Sequence, residues 1–432
     1  MITKKLISQI EGEAILDMQL QNDKVAFATI RFEQLRGFET LLEGKPALDA
    51  LVFTPRVCGI CGHSHLYATV KALENIYTNN NIEVALSNKA KLLREITLTQ
   101  EIIQNHFKWI YLTLLPKLSH LAQEKIPSNK LKGLYPTNFS SKIIALFAGQ
   151  YPHASYMIPG GITSDPTFVE IHQVRSYMQE IKNFFEKELL GVGLTEFLAF
   201  ESCKDFSQLS KDLFFIEEML INTQMHQKGF GYDRFLVLQD HFFSKSGKYK
   251  HTRKLKADPK YLALQPSYSL SEKSVAQNAT YKGEYYETGP LARAIAKDHK
   301  LLKNIHRRFK DSGYSRVIAR IYELAYLIQH SFTLLEELDI FEPSCIELPP
   351  IEQLSGTGVG IIEAPRGSLY HKIELKKGII KSYQIITPTQ FNIGSDTPAH
   401  PTPAQHSMIG MSKEEAEFLF LGYDVCSVCT TH

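Results

Sequence analysis

No stretch of this 432-residue sequence is apolar for long enough to cross a bilayer. The longest runs, such as IYLTLLP at 110–116, fall far short of the ~20 residues a membrane helix needs. Surplus charge is missing too. Lys and Arg number 48 against 46 Asp and Glu, a formal +2, which gives no electrostatic reason to expect nucleic acid or an anionic membrane as partner. The opening MITKKLISQIEGEA is charged and soon acidic, without the apolar segment of a secretory signal. A cytoplasmic protein is therefore expected, reaching a membrane, where it does so, through partners. Internal repeats and low-complexity segments are also absent, so the length is expected to serve a substantial buried core, in two or three lobes.

Cysteine is scarce and unevenly placed. Of six, Cys203 and Cys345 stand alone, and both are expected to be buried and inert. The others form two C-x-x-C pairs, Cys58 with Cys61 and Cys426 with Cys429. In a cytosolic protein, such pairs point to metal or redox sites before disulfides. Together they can give four thiolates to one soft or borderline metal. Structural zinc is the plain alternative, but zinc ribbons usually keep their pairs within a few tens of residues of each other. A thioredoxin-like motif would leave the second pair unexplained. The spacing instead suggests one site assembled from the first and last structured segments.

The remaining pattern is mostly helical. EAILDMQLQNDKVAFATIRF alternates around Asn22 and Asp23 and reads as a β-hairpin. RGFETLLEG reads as a short helix closing at Gly44. Leu66, Val70, Leu73 and Tyr77 recur at helical spacing behind Cys61, which puts that cysteine near a helix N-terminus, where thiolates are stabilised. A long helix is expected from an N-cap at Ser87 to about Leu115, with Leu92, Ile96, Thr99, Ile103, His106 and Ile110 on one face. Two more cover TFVEIHQVRSYMQEIKNFFEKELL and SRVIARIYELAYLIQHSFTLLEEL. Residues 240–290, basic and rich in Tyr and Ser, read as a long surface excursion. SLYHKIELKKGIIKSYQIITPT reads as a second hairpin, and SKEEAEFLFLG as a helix with Ser412 as N-cap, Glu415 completing a capping box and Gly422 as terminator. The fold class expected is mainly α with small antiparallel β-sheets (α+β), around a central bundle of long helices.

The segment TPRVCGICGHSH, with DVCSVCTTH at the C-terminus, resembles the large, catalytic subunit of nickel–iron hydrogenases. That family carries R-x-C-G-x-C-x-x-x-H near its N-terminus, matched at Arg56, Cys58, Gly59, Cys61 and His65. It carries D-P-C-x-x-C-x-x-H at its end, matched at Asp424, Cys426, Cys429 and His432, with Val425 in place of the proline. QIEGEA, RGFE, the PGG at 159–161, ETGPLAR, EAPRGSL and ITPTQFN match further family elements in the family's order. The resemblance thus covers essentially the whole chain, read as one domain over 1–432. Within it the hairpin and first cysteine pair occupy about 1–80, a helical core about 81–345, and the C-terminal sheet with the second pair about 346–432.

The resemblance implies that Cys58, Cys61, Cys426 and Cys429 all bind nickel, with Cys61 and Cys429 also bridging to an iron that carries carbon monoxide and cyanide. It implies proton relay by Glu11. A magnesium (or iron) ion would be held by Glu39, the backbone carbonyl at about Ile385, and His432. Arg366 would donate hydrogen bonds to the cyanides, joined by Thr389, with Pro365 shaping the pocket. Beside Glu11, Gln9 and Glu13 depart from the family's arginine and histidine. Without the motif, Glu11 and Glu39 would read as ordinary solvated carboxylates. His106 reads as a core histidine with a backbone partner. His63 and His65 read as outer support for a cysteine rather than ligands, and the basic run KSGKYKHTRKLK as a solvated loop.

The family activity is the interconversion of H2 with protons and electrons. This chain has no further cysteine clusters for iron–sulfur centres, so an iron–sulfur small subunit is the implied electron partner. A maturation protease and nickel-insertion proteins are also implied, since the family protease cuts directly behind this histidine. A chain ending at His432 is accordingly expected to be matured, or encoded without the extension. The subgroup suggested is the cytosolic uptake or hydrogen-sensing type. A low-turnover hydrogen sensor would share every ligand, whereas a quinone-site relative from the respiratory complex would lack the cysteines retained here.

Overall fold

The computed structural model describes residues 2–10, 12–125, 129–241, 243–250 and 253–432, the side chains of 8–10 excepted. Two three-stranded antiparallel sheets and a bundle of long helices carry the architecture, and a third sheet joins Arg234–Val237, Gly247–Lys250 and Arg253–Leu255. The first sheet contains the expected hairpin, Gly12–Gln21 with Lys24–Arg31, turning on Asn22 and Asp23 at φ 52 and 58. Two consecutive positive φ values are what the tight turns suited to twisted strands require. A further strand, Ile2–Ile10, pairs along Gly12–Gln21, so the sheet extends one strand beyond the hairpin.

The second sheet joins Gly367–Lys376 and Ile379–Ile386, the expected second hairpin, to a strand over Gly356–Ala364. That strand, GTGVGIIEA, is poor in strand formers because three glycines interrupt it. Two of them answer to packing. A Cβ on Gly358 would lie 2.0 Å from the Ala72 carbonyl, and one on Gly360 1.9 Å from that of Ala68. The glycines therefore let the Gly62–Asn79 helix lie directly on the strand. Gly360→Ala is expected to cost about 3 kcal/mol or more in a denaturation experiment, because backbone on both sides must move. Gly193→Ala, with nothing within 4 Å of its added carbon, should stay within about 0.5 kcal/mol.

The bundle is built on Asn88–Lys108, capped by Ser87, whose hydroxyl accepts from the Ala90 N–H. The helix runs on through a wide turn at Trp109–Leu114 into Leu115–Ala122. It packs against Leu134–Ala148 and Gly313–Glu336, and Phe168–Phe184 closes over those two. The Thr167–Glu170 capping box starts the last of these, and Ser312 caps Gly313–Glu336. Burial of the Asn88–Lys108 helix extends well beyond the single apolar face, for Gln100, Glu101 and Gln104 are fully buried as well. Among the described residues, no helix is long and apolar enough to cross a membrane.

Three expectations are corrected. Residues 240–290 are not one surface excursion: the strand Gln277–Tyr281 pairs with Leu262–Pro266, and Asn278, Ala279, Thr280 and Tyr281 are buried. Gly422 does not terminate its helix, which includes it; the chain leaves through Tyr423, and Asp424 takes the left-handed conformation at φ 58. Cys345 is exposed, and Cys203 is half-buried at the start of the turn Cys203–Gln208.

Candidate metal centre

Four buried thiols from the two ends of the chain meet at one point, their sulfurs all within 4.8 Å of one another. Cys58 follows the turn Thr54–Val57, and Cys61 is the N-cap of Gly62–Asn79. Cys426 is the N-cap of the short turn Ser427–Thr430, which contains Cys429. The Sγ atoms lie 3.7 Å apart for Cys58–Cys426 and 3.3 Å for Cys61–Cys429, well beyond a disulfide bond. Burial holds the Cys429 thiol well above its ordinary value, and neighbouring Cys426 and Cys429 do the same for Cys61, while hydrogen bonds from the other thiols bring Cys58 and Cys426 down. Gathering four thiolates here therefore calls for a cation, and a soft or borderline one by the donor set.

A small cavity adjoins these sulfurs, lined by Cys61, Cys429, Pro365, Arg366 and Thr389 among others. Arg366 is buried; its Nε donates to the Asp424 carbonyl at 2.8 Å and its Nη2 lies 3.3 Å from the Asp424 carboxylate. Its Nη1 is buried without a partner. An unsatisfied guanidinium nitrogen is costly, and on the wall of this cavity it fits a ligand-borne acceptor. Site residues that sequence reasoning assigned to the pocket, Arg366, Pro365 and Thr389, are thus brought together with Cys61 and Cys429.

The pocket's surroundings went largely unseen in the sequence. Asp424 also accepts from Arg320 at 2.8 Å, and Arg320 reaches His106 Nδ1 at 3.3 Å. His106 Nε2 lies 2.9 Å from Glu323, which Arg293 pairs, and Arg293 Nη1 reaches Glu363 at 3.2 Å. Three arginines and three carboxylates balance through a histidine that burial lowers to about 4 and so keeps neutral. His106 is a core histidine as expected, but its partners are charged side chains rather than backbone. Turned about its amide, Asn105 adds bonds to Asp424 and Arg366.

The first cysteine loop is stapled from the bundle. Glu101 accepts from the backbone N–H groups of His63 and Ser64 at 2.7 and 2.9 Å and from the Ser64 hydroxyl at 2.5 Å. It thereby satisfies N–H groups that a helix start leaves open. Burial pushes its carboxyl up to about 8 against the pull of those donors. His65 supports the site directly, with Nε2 3.7 Å from Cys429 Sγ and Nδ1 3.1 Å from His371. His63 does not: both its nitrogens are buried without partners. His371 was legible as an inward position, since Leu369, Ile373 and Leu375 alternate with it in the strand.

At the chain's end, His432 Nδ1 lies 2.6 Å from the Cys429 carbonyl and Nε2 2.9 Å from that of Ile385. The ring thus faces two carbonyl oxygens at once. Glu39 Oε1 stands 3.5 Å from the same Nε2 and accepts the Ile385 N–H at 2.6 Å. A ring nitrogen, a carbonyl and a carboxylate converge, a donor set suited to a hard cation. Glu11, the expected proton relay, lies outside the described residues.

The chain is similar to known proteins in sequence and fold. A family profile described as nickel-dependent hydrogenase matches residues 36–116 and 126–432. Sulfhydrogenase 2 subunit alpha of Pyrococcus furiosus is 25% identical, over 98% of this chain and 97% of its own. The coenzyme F420 hydrogenase subunit alpha of Methanothermobacter thermautotrophicus is 24% identical, over 98% and 93%. The fold matches the solved nickel–iron–selenium hydrogenase of D. vulgaris Hildenborough with a TM-score of 0.82, 21% identity and full coverage of both chains.

Proposed function

Because the chain belongs to the nickel-dependent hydrogenase family, whose members are oxidoreductases acting on hydrogen, we propose that it is the catalytic large subunit that cleaves or forms H2 and passes electrons to an iron–sulfur small subunit. One observation carries the proposal: four buried, unbridged cysteines from both chain ends, clustered within 4.8 Å. Cys58 and Cys426 would hold nickel terminally, and Cys61 and Cys429 would bridge nickel to an iron bearing carbon monoxide and cyanide. When bound, that centre supplies the electrophile and the electron sink for splitting H2.

The chain's own groups do the rest. Arg366 offers its unpartnered Nη1 to a diatomic ligand, while Pro365 and Thr389 line the same dry pocket. Glu11 takes the proton. Its neighbour Gly12 supports that role, since a Cβ there would lie 3.0 Å from Ser427 and 3.1 Å from Val428, beside Cys429. Glu39, the Ile385 carbonyl and His432 hold a magnesium (or iron) ion that ties the tail down. Electrons leave through the small subunit, since Cys203 and Cys345 cannot assemble an iron–sulfur cluster. A maturation protease and nickel-insertion proteins complete the partners, in the cytoplasm. A hydrogen-sensing subunit would keep the same ligands, and its low turnover would set it apart.

The test is infrared absorption with metal analysis on the anaerobically purified complex. Bands of metal-bound carbon monoxide and cyanide, with one nickel and one iron in the cluster, are expected. Zinc with no such bands would overturn the reading.

A further inference from the structure

One arginine touches both cysteine-bearing segments. Arg36 Nη1 donates to the Val57 carbonyl at 2.5 Å and to that of Val428 at 3.4 Å. Val57 immediately precedes Cys58, and Val428 immediately precedes Cys429. Arg36 Nη2 donates to the Arg56 carbonyl at 3.1 Å, and the Arg36 backbone N–H to the Thr431 carbonyl at 2.7 Å. The Arg56 and Val57 carbonyls end the turn Thr54–Val57 that presents Cys58, where helical turns leave acceptors open. Phe38 fixes the guanidinium from the other side, its ring centroid 4.8 Å away.

The tail beyond Cys426 secures itself mainly through bonds to itself. Thr430 donates to the Cys426 carbonyl, Thr431 to that of Ser427, and His432 faces that of Cys429. Such bonds shape the turn without attaching it to the body of the protein. Attachment comes from His432 Nε2 at the Ile385 carbonyl and from Arg36, whose planar fork acts in a way a point charge cannot: neighbouring carbonyls of one segment and a carbonyl of the other are engaged by fixed N–H directions.

We propose that Arg36 is a positioning residue, a latch that holds the two cysteine pairs in register by bridging their backbones. The proposal rests on the reading that these cysteines share a metal. It makes the residue a determinant of metal retention without direct contact to the metal, in the way that groups behind the ligands commonly govern affinity.

The holo complex carrying Arg36→Ala is expected to lose nickel to EDTA at least about tenfold faster than the parent. Backbone hydrogen exchange over residues 425–432 should rise, while the helix Asn88–Lys108 stays as protected as before. Arg36→Lys keeps the charge and most of the stem, and so remains informative if the alanine variant folds poorly. It is expected to resemble Ala, because a lysine cannot bridge the three carbonyls. Nickel retention and tail protection at parental levels in Arg36→Ala would overturn the latch, as would full rescue by Lys, which would assign the effect to charge. The exchange comparison needs no particular metal, so a parent protein found to hold zinc would sink the function proposed above and still decide the latch.

Discussion

Cys429→Ala is expected to yield a chain that holds less than about a tenth of the parental nickel and shows no carbon monoxide or cyanide bands. Its sulfur stands 3.3 Å from Cys61 and 3.7 Å from the His65 ring, so its removal opens the side of the site where both pairs meet. Metal binding here is linked to the assembly of residues remote in sequence, and losing one ligand of four removes much of the free energy that holds the set. The side chain is small and the cavity next to it already present, so the substitution itself adds little strain, and any fall in stability follows the loss of the metal. Elemental analysis and infrared absorption, with a melting curve as control, decide the matter. Parental nickel content in a folded variant would count against shared ligation.

Asp424→Leu should produce the largest loss of stability, about 3–5 kcal/mol. The carboxylate lies between two buried arginines, 2.8 Å from Arg320 and 3.3 Å from Arg366. Without it, two guanidinium groups are left facing each other out of water, and the three-against-three balance running to Glu363 is broken. Combining Asp424→Leu with Arg320→Met removes one surplus charge and should recover part of the loss. The double variant is therefore expected to be less destabilised than the sum of the singles, by more than about 0.5 kcal/mol, the sign of direct coupling. Denaturant titration of the four proteins measures this. Additive losses would mean that the arginines are compensated elsewhere.

Much of the fold was legible because it obeys local rules. The alternation at Asn22–Asp23, the serine caps at 87 and 412, and the helical repeat behind Cys61 each report a short-range preference. What escaped depends on contacts between distant segments. The strand 356–364 is unreadable from propensity, since its glycines answer to a helix almost 300 residues earlier in the chain. Burial all around Asn88–Lys108 hid Glu101 and Gln104 among residues that periodicity assigns to water. The site divides in the same way. Its cysteines, Arg366 and Glu39 were visible through motif spacing, whereas Arg36, Asp424's arginine partners and the staple from Glu101 follow from three-dimensional neighbours. Both His63 and His65 were expected to give outer support, but only His65, the one the motif includes, reaches a thiol.

The meeting of Cys58 with Cys426 joins positions 368 residues apart. An ion shared between them turns a linear polymer into a ring for as long as both pairs stay attached. Closing a loop of that length removes about 6 kcal/mol of disorder from the unfolded chain. The metal that serves chemistry would thus also act as a topological clasp, making loss of cofactor and loss of the folded state successive stages of one process.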